Sequence, residues 1–388
     1  MISASTLIFA SCNQQHQKKE AKNTKEINEI KPGAYQIDEY LKLIDGKKIG
    51  IVANPSSELN GTSLVDTLIS LNQNIVRIFS PEHGFRGKAD AGAKINDEVD
   101  AKTGLKVISL YGKNRKPKNE QLDGIDVMIF DLQDVGVRFY TYISTLHYVM
   151  EACAENNIPV IVLDRPNPNA HYVDGPMLDE KYKSFVGMHK VPIVYGMTIG
   201  EYGRMINGEG WLKDGIKCDY KVVENKNYNH SMKYNLPVRP SPNLPNAESI
   251  NLYPSLCYFE GTPISAGRGT EMQFQIFGAP ESEGMDFSFT PHPNFGSKHP
   301  KFNGVECHGR DLRKTPYLSK IDISWVIEAY NSYPDKKNFF NKFFVKLAGT
   351  DKLQQQIIDG KTAEQIEDSW KEGLDKFRKV RAKYLLYK

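Results

Sequence analysis

Along the N-terminal half of the chain, apolar runs of strand length alternate with stretches whose apolar residues recur every three or four positions. Lys48 to Asn54, Ile75-Val-Arg-Ile-Phe79, Val107 to Tyr111, Val127-Met-Ile-Phe130 and Pro159 to Leu163 read as strands. Between them, Gly61 to Leu71 sets Leu64, Val65, Leu68, Ile69 and Leu71 at helical spacing. Thr141 to Asn156 does the same with Tyr142, Leu146, Val149, Met150 and Cys153. Strands that are apolar throughout and alternate with helices predict a parallel sheet covered on both faces. The expected fold class is α/β: a Rossmann-like parallel-sheet domain followed by a smaller α+β C-terminal domain.

Further along, Thr198-Ile-Gly-Glu201 is a capping box that opens a helix to about Asn207, which gives Glu201 a structural task. Val238-Arg-Pro-Ser-Pro-Asn-Leu-Pro245 is proline-dense and extended. The expected division is a tether over 1–30, a catalytic domain over 31–240 and a C-terminal domain over 241–388 that completes a cleft. Thr362-Ala-Glu-Gln365 is a second capping box, with Ile366, Trp370, Leu374, Phe377 and Tyr384 as the buried stripe behind it. Asn303 to Leu347 has no periodicity that assigns an element.

Each strand in the first half ends in a polar residue: Asn54, Glu82, Asp131 and Asp164 all lie just past an apolar run. In open α/β sheets, ligands bind in the crevice beyond the carboxyl ends of the strands, so these four residues predict one polar rim. Glu82 sits in Ser80-Pro-Glu-His-Gly-Phe-Arg-Gly87, where Pro81 and Gly84 stop the strand. The densest constellation is Asp131-Leu-Gln-Asp134-Val-Gly-Val-Arg138-Phe-Tyr140-Thr-Tyr142. Two carboxyls in contrasting environments supply acid and base for hydrolysis, with Glu82 as the acid and Asp131 or Asp134, facing Arg138, as the ionised partner. The structural alternative is a buried Asp134–Arg138 ion pair. In the second part, Ser265-Ala-Gly-Arg-Gly-Thr270 places Arg268 between two glycines, an arrangement suited to an anion-binding nest or to a plain bend.

Composition narrows the partners. Over 388 residues the formal charge is only +3, which argues against nucleic acid or a polybasic membrane surface, and 40% hydrophobic residues suffice for a sizeable core. Beyond Cys12, the cysteines Cys153, Cys218, Cys257 and Cys307 have no metal-ligand spacing. His83, Asp131 and Asp134 lack tight ligand spacing too, so no metal is assigned. No G-x-G-x-x-G follows the first strand and no P-loop is present, so no cofactor is expected. Phe9-Ala10-Ser11-Cys12 is similar to a bacterial lipobox, followed by a charged tether. It predicts a cell-envelope lipoprotein, in the periplasm or at the outer membrane, whose membrane contact is a lipid on Cys12.

Taken in order, Ser80–Gly87, Asp131–Tyr142, Asp164-Arg-Pro-Asn-Pro168, Gly196–Glu201, Pro240-Ser-Pro-Asn243, Phe259-Glu-Gly-Thr262 and Gly267-Arg-Gly-Thr270 resemble the NamZ-type, or YbbC-like, exo-β-N-acetylmuramidases. The resemblance runs from about Lys48 to the C-terminus. It implies a glycosidase on a Rossmann-like domain that releases terminal N-acetylmuramic acid from the non-reducing end of peptidoglycan fragments. Glu82 is then the candidate acid, with Asp131 and Asp134 as catalytic partners. Asn54, His83, Arg86, Arg138 and Tyr140 are the expected substrate contacts of the first domain, joined by Asp164, Arg165 and Asn243. Glu260 and Arg268 are expected from the second domain, the latter reading the lactyl carboxylate of muramic acid. A non-catalytic lipoprotein that binds cell-wall sugars is the rival reading, and a metal-dependent phosphoesterase is a third.

Overall fold

The computed structural model describes residues 29–82, 84–86 and 97–388; Cys12 and His83 lie outside them. The apolar runs form β1 (Ile49–Ala53), β2 (Ile75–Ser80), β4 (Lys106–Ser109), β5 (Val127–Asp131) and β6 (Val160–Leu163). Two further strands, β3 (Glu98–Val99) and β7 (Tyr220–Val223), complete a seven-stranded sheet ordered β3-β4-β2-β1-β5-β6-β7. Only β3 pairs antiparallel. Without it, the parallel strands run third, second, first, fourth, fifth, sixth in chain order, the doubly wound arrangement. Strand order reverses between β1 and β5, with Asn54 just past β1 and Asp131 at the end of β5.

Alternate residues of each strand face opposite layers. Val52, Phe79, Met128, Phe130 and Val162 join one apolar cluster, whereas Ile51, Ile78, Ile129 and Ile161 join another with Leu64, Val65 and Leu68 of the helix Leu64–Ser70. The helix Tyr142–Glu155 buries eleven residues, seven of them, Cys153 included, in the first cluster. That cluster continues into Phe259, Phe277, Trp325 and Phe344, so the second lobe packs on the sheet's face through shared core. The lobe carries a three-stranded antiparallel sheet ordered β8-β10-β9, made of β8 (Ile276–Ala279), β9 (Phe287–Phe289) and β10 (Cys307–Asp311).

Both capping boxes are present, at Thr198/Glu201 and Thr362/Gln365. Asn303 to Leu347, unassigned from sequence, contains β10 and the helix Ser324–Ser332. Another helix, Ala247–Leu256, holds Pro254 in its interior. Proline lacks the N–H that would bond the Ile250 carbonyl one turn back. The Asn169 side chain supplies that donor instead, at 3.2 Å, which ties the helix to the loop after β6.

Candidate active site

A cavity of about 560 Å³ opens at the carboxyl edge of the sheet, within the range of small-ligand clefts. Glu82, just past β2, and Tyr111, just past β4, form part of its wall, and the Tyr111 hydroxyl hydrogen-bonds Glu82. Tyr140, Thr141 and Tyr142 come from the entry to the helix that follows β5; Ser184, Phe185 and Val186 form a side. Tyr253, Glu260, Arg268 and the segment Phe343 to Leu347 close the cavity from the second lobe. Two carboxyls therefore face one hollow from opposite lobes.

The phenols are locked. Asn54 Nδ2 donates to Tyr142 Oη at 2.7 Å, Tyr140 Oη donates to the Pro240 carbonyl at 2.6 Å, and the two hydroxyls hydrogen-bond each other. Burial pushes Tyr111, Tyr140 and Tyr142 above the ordinary tyrosine range, so they remain neutral donors. Arg268 donates to Glu260, with Nε at 3.2 Å, and lies over Phe274 at 5.2 Å. Gly267 and Gly269 adopt φ of 76° and 83°, and a Cβ on Gly267 would meet the Met272 carbonyl at 2.7 Å. The segment makes a tight turn: Thr270 N bonds the Gly267 carbonyl at 3.1 Å, and Gly267 N donates to Ser265 Oγ at 3.2 Å. Arg268 pairs with Glu260 and lines the cavity beside it.

Several other expected site residues stand outside the cavity lining. Asp131 is fully buried and takes a bidentate bond from Arg165, with Nη2 at 2.8 Å. Asp134 accepts from the Tyr195 hydroxyl and from Gly136 N at 2.7 Å, and burial raises its pKa to about 6. Neither faces Glu82 across the hollow. Arg138 does not pair with Asp134. Its guanidinium is spent on the carbonyls of Pro176, Val191, Leu347 and Ala348 at 2.6–3.2 Å, and burial lowers its pKa to about 10. It staples the second lobe to the first. Arg86 is engaged by Asp66 and Asp100 at 3.3 and 2.8 Å and lies 4.4 Å over Phe85. Asp164 takes bonds from Thr198, Gly200 and Tyr387 at 2.6–2.8 Å, and its pKa rises to about 7 with burial. Asn243 donates to the Gly296 carbonyl at 2.7 Å.

Residues 49–248 match the family description "Exo-beta-N-acetylmuramidase NamZ, N-terminal" and residues 251–387 match its C-terminal counterpart. The chain belongs to the NamZ exo-β-N-acetylmuramidase family. It is 39% identical over 376 residues to the peptidoglycan β-N-acetylmuramidase NamZ of Bacillus subtilis strain 168, covering 90% of this chain and 89% of that protein. Two crystal structures of DUF1343 family proteins from Bacteroides fragilis superpose closely. One has TM-score 0.87 and 43% identity, covering 93% of this chain and 99% of the other; the second has TM-score 0.80 and 31% identity, covering 92% and 99%.

In this NamZ-family chain, the polar and charged cavity residues that sequence reading missed include Tyr111, Tyr253, Arg115 and Lys346. Tyr111 is the last residue of an expected strand, so the strand-end rule that found Glu82 would also have found it. Lys346 falls in the stretch where no element was assigned, on a five-residue helix, Phe344–Ala348.

Proposed function

We propose that the chain is an exo-β-N-acetylmuramidase that hydrolyses the bond holding a terminal N-acetylmuramic acid at the non-reducing end of peptidoglycan fragments. Family membership and the pair Glu82 and Glu260 on opposite walls of one cavity support this reading. Glu82, oriented by Tyr111, gives a proton to the glycosidic oxygen as the bond from the anomeric carbon breaks. In a single displacement, water adds to that carbon from the side of Glu260, which takes its proton; in a double displacement Glu260 bonds the anomeric carbon, and water that gives its proton to the Glu82 carboxylate then displaces Glu260. Arg268 fixes the Glu260 carboxylate, and Tyr140 and Tyr142 present rigid hydroxyl surfaces for the sugar.

A disaccharide with N-acetylmuramic acid at its non-reducing end tests the reading. Steady release of the free sugar is expected, with no release from fragments that begin in N-acetylglucosamine. Saturable binding without release would replace the enzyme by a sugar-binding protein. Among the described residues no cluster of three metal-ligating side chains exists, and turnover is expected to survive a chelator. We also propose envelope attachment through Cys12, supported by Phe9-Ala-Ser-Cys12; Cys12→Ser should move the protein from the membrane to the soluble fraction, and unchanged fractionation would refute it.

A further inference from the structure

The cavity wall carries three cations, Arg268, Arg115 and Lys346, and only Arg268 is committed to Glu260. Arg115 and Lys346 are exposed and, among the described residues, neither enters an ion pair. Arg115 is nevertheless fixed in place: its guanidinium lies 4.3 Å from the Phe185 ring centroid. Phe185 is itself stacked on Tyr148, 6.4 Å away at 15°, and its carbonyl accepts from Ser144 Oγ at 2.8 Å. A stacked guanidinium spends its face on the ring and keeps its N–H edge for a planar anion. The Phe185 loop is a tight turn closed by Ser184 and Gly187, 2.9 and 3.1 Å apart through reciprocal backbone bonds. Gly187 lies against the Lys346 carbonyl, so a Cβ there would stand 3.8 Å from it. Both cations therefore belong to one continuous side of the hollow.

We propose that Arg115 and Lys346 form the carboxylate-reading rim of this cavity and decide its specificity. Resting on the muramidase reading above, the rim binds the free 3-O-lactyl carboxylate, the group by which muramic acid differs from glucosamine. Arg115 meets that carboxylate edge-on and Lys346 supplies a second, mobile charge. Because the rim is solvent-exposed, its contribution is screened by salt. A muramyl residue whose lactyl group is capped as an amide lacks the charge and loses the contact.

The test compares 4-nitrophenyl β-N-acetylmuraminide with the same glycoside carrying a lactyl methylamide, for the wild type, Arg115→Met, Lys346→Met and the double variant. The wild type should favour the free acid through KM, and increasingly so at low salt. In the double variant KM for the acid should rise at least tenfold with kcat within threefold, while KM for the amide stays put and the salt dependence flattens. An unchanged acid-to-amide ratio in a double variant of wild-type circular dichroism would overturn the proposal. If the wild type cleaves neither glycoside, the reaction reading fails separately. Titration calorimetry with N-acetylmuramic acid then judges the rim, since loss of binding in the double variant supports it and equal binding refutes it.

Discussion

Asp131→Asn separates a structural carboxylate from a catalytic one. Asp131 and Arg165 are 0% and 2% exposed, and the guanidinium takes both carboxylate oxygens. The substitution leaves the Arg165 guanidinium buried without a counter-charge, with one neutral amide oxygen and the Glu58 carbonyl, at 3.4 Å, as acceptors, and sets an amide NH2 where the second carboxylate oxygen accepted. Breaking a buried pair from one side costs ~3–5 kcal/mol. With an unfolding entropy of ~2.1 cal/mol/K per residue, a 388-residue chain loses ~1.2 °C of Tm per kcal/mol, so the midpoint should fall by ~4–6 °C. Calorimetry gives that shift, and steady-state kinetics well below the midpoint gives kcat, which should stay within a few-fold of wild type. Replacing both charges, as in Asp131→Leu with Arg165→Met, should recover most of the lost stability. A fall in kcat of about 10³ at an unaltered Tm is the size expected of a lost general base; it would place Asp131 in the chemistry and refute this reasoning.

Lys301 grips the carbonyls of Phe259, Thr262 and Ile264 at 3.0, 2.7 and 3.0 Å, bracketing Glu260. Lys301→Met should loosen that carboxylate and lower kcat by about tenfold with KM little changed; an unchanged kcat would remove Lys301 from any positioning role. His147 and His189 share a hydrogen bond of 2.9 Å, His189 meets Tyr202 at 3.0 Å, and burial lowers the His147 pKa to about 4 from its ordinary 6.5. Because the folded state keeps His147 neutral, its contribution is fully present above pH 6.5 and is lost as pH falls towards 4. His147→Gln should therefore flatten the pH dependence of Tm in that window, by at most about 3 kcal/mol, and an equally steep acid fall in the variant would contradict the assignment.

The parallel sheet was legible because its strands are buried on both faces and read as unbroken apolar runs. Tyr220–Val223 escaped because it is an edge strand only partly buried, with Lys221 exposed in its middle. The strand-end rule identified Glu82 because it stands just past an apolar run that Pro81 and Gly84 stop. The same rule could not separate Glu82 from Asp131, whose partner Arg165 arrives from the next strand's end and is visible only once β5 and β6 lie side by side. Arg138 misled for the same reason: its acceptors are backbone carbonyls as distant as Leu347 and Ala348, which carry no residue signature. Glu260 was legible through the family resemblance alone, and its pairing with Arg268 required the turn at Gly267 and Gly269.

Glu82→Gln measured on two substrates tests the role of Glu82 as proton donor most directly. On a disaccharide ending in N-acetylmuramic acid, whose sugar leaving group needs a proton, kcat should fall by about 10³ or more. On the 4-nitrophenyl glycoside, whose leaving group departs as a stable anion, the loss should be far smaller. Near wild-type turnover of the disaccharide by folded Glu82→Gln would contradict the assignment outright.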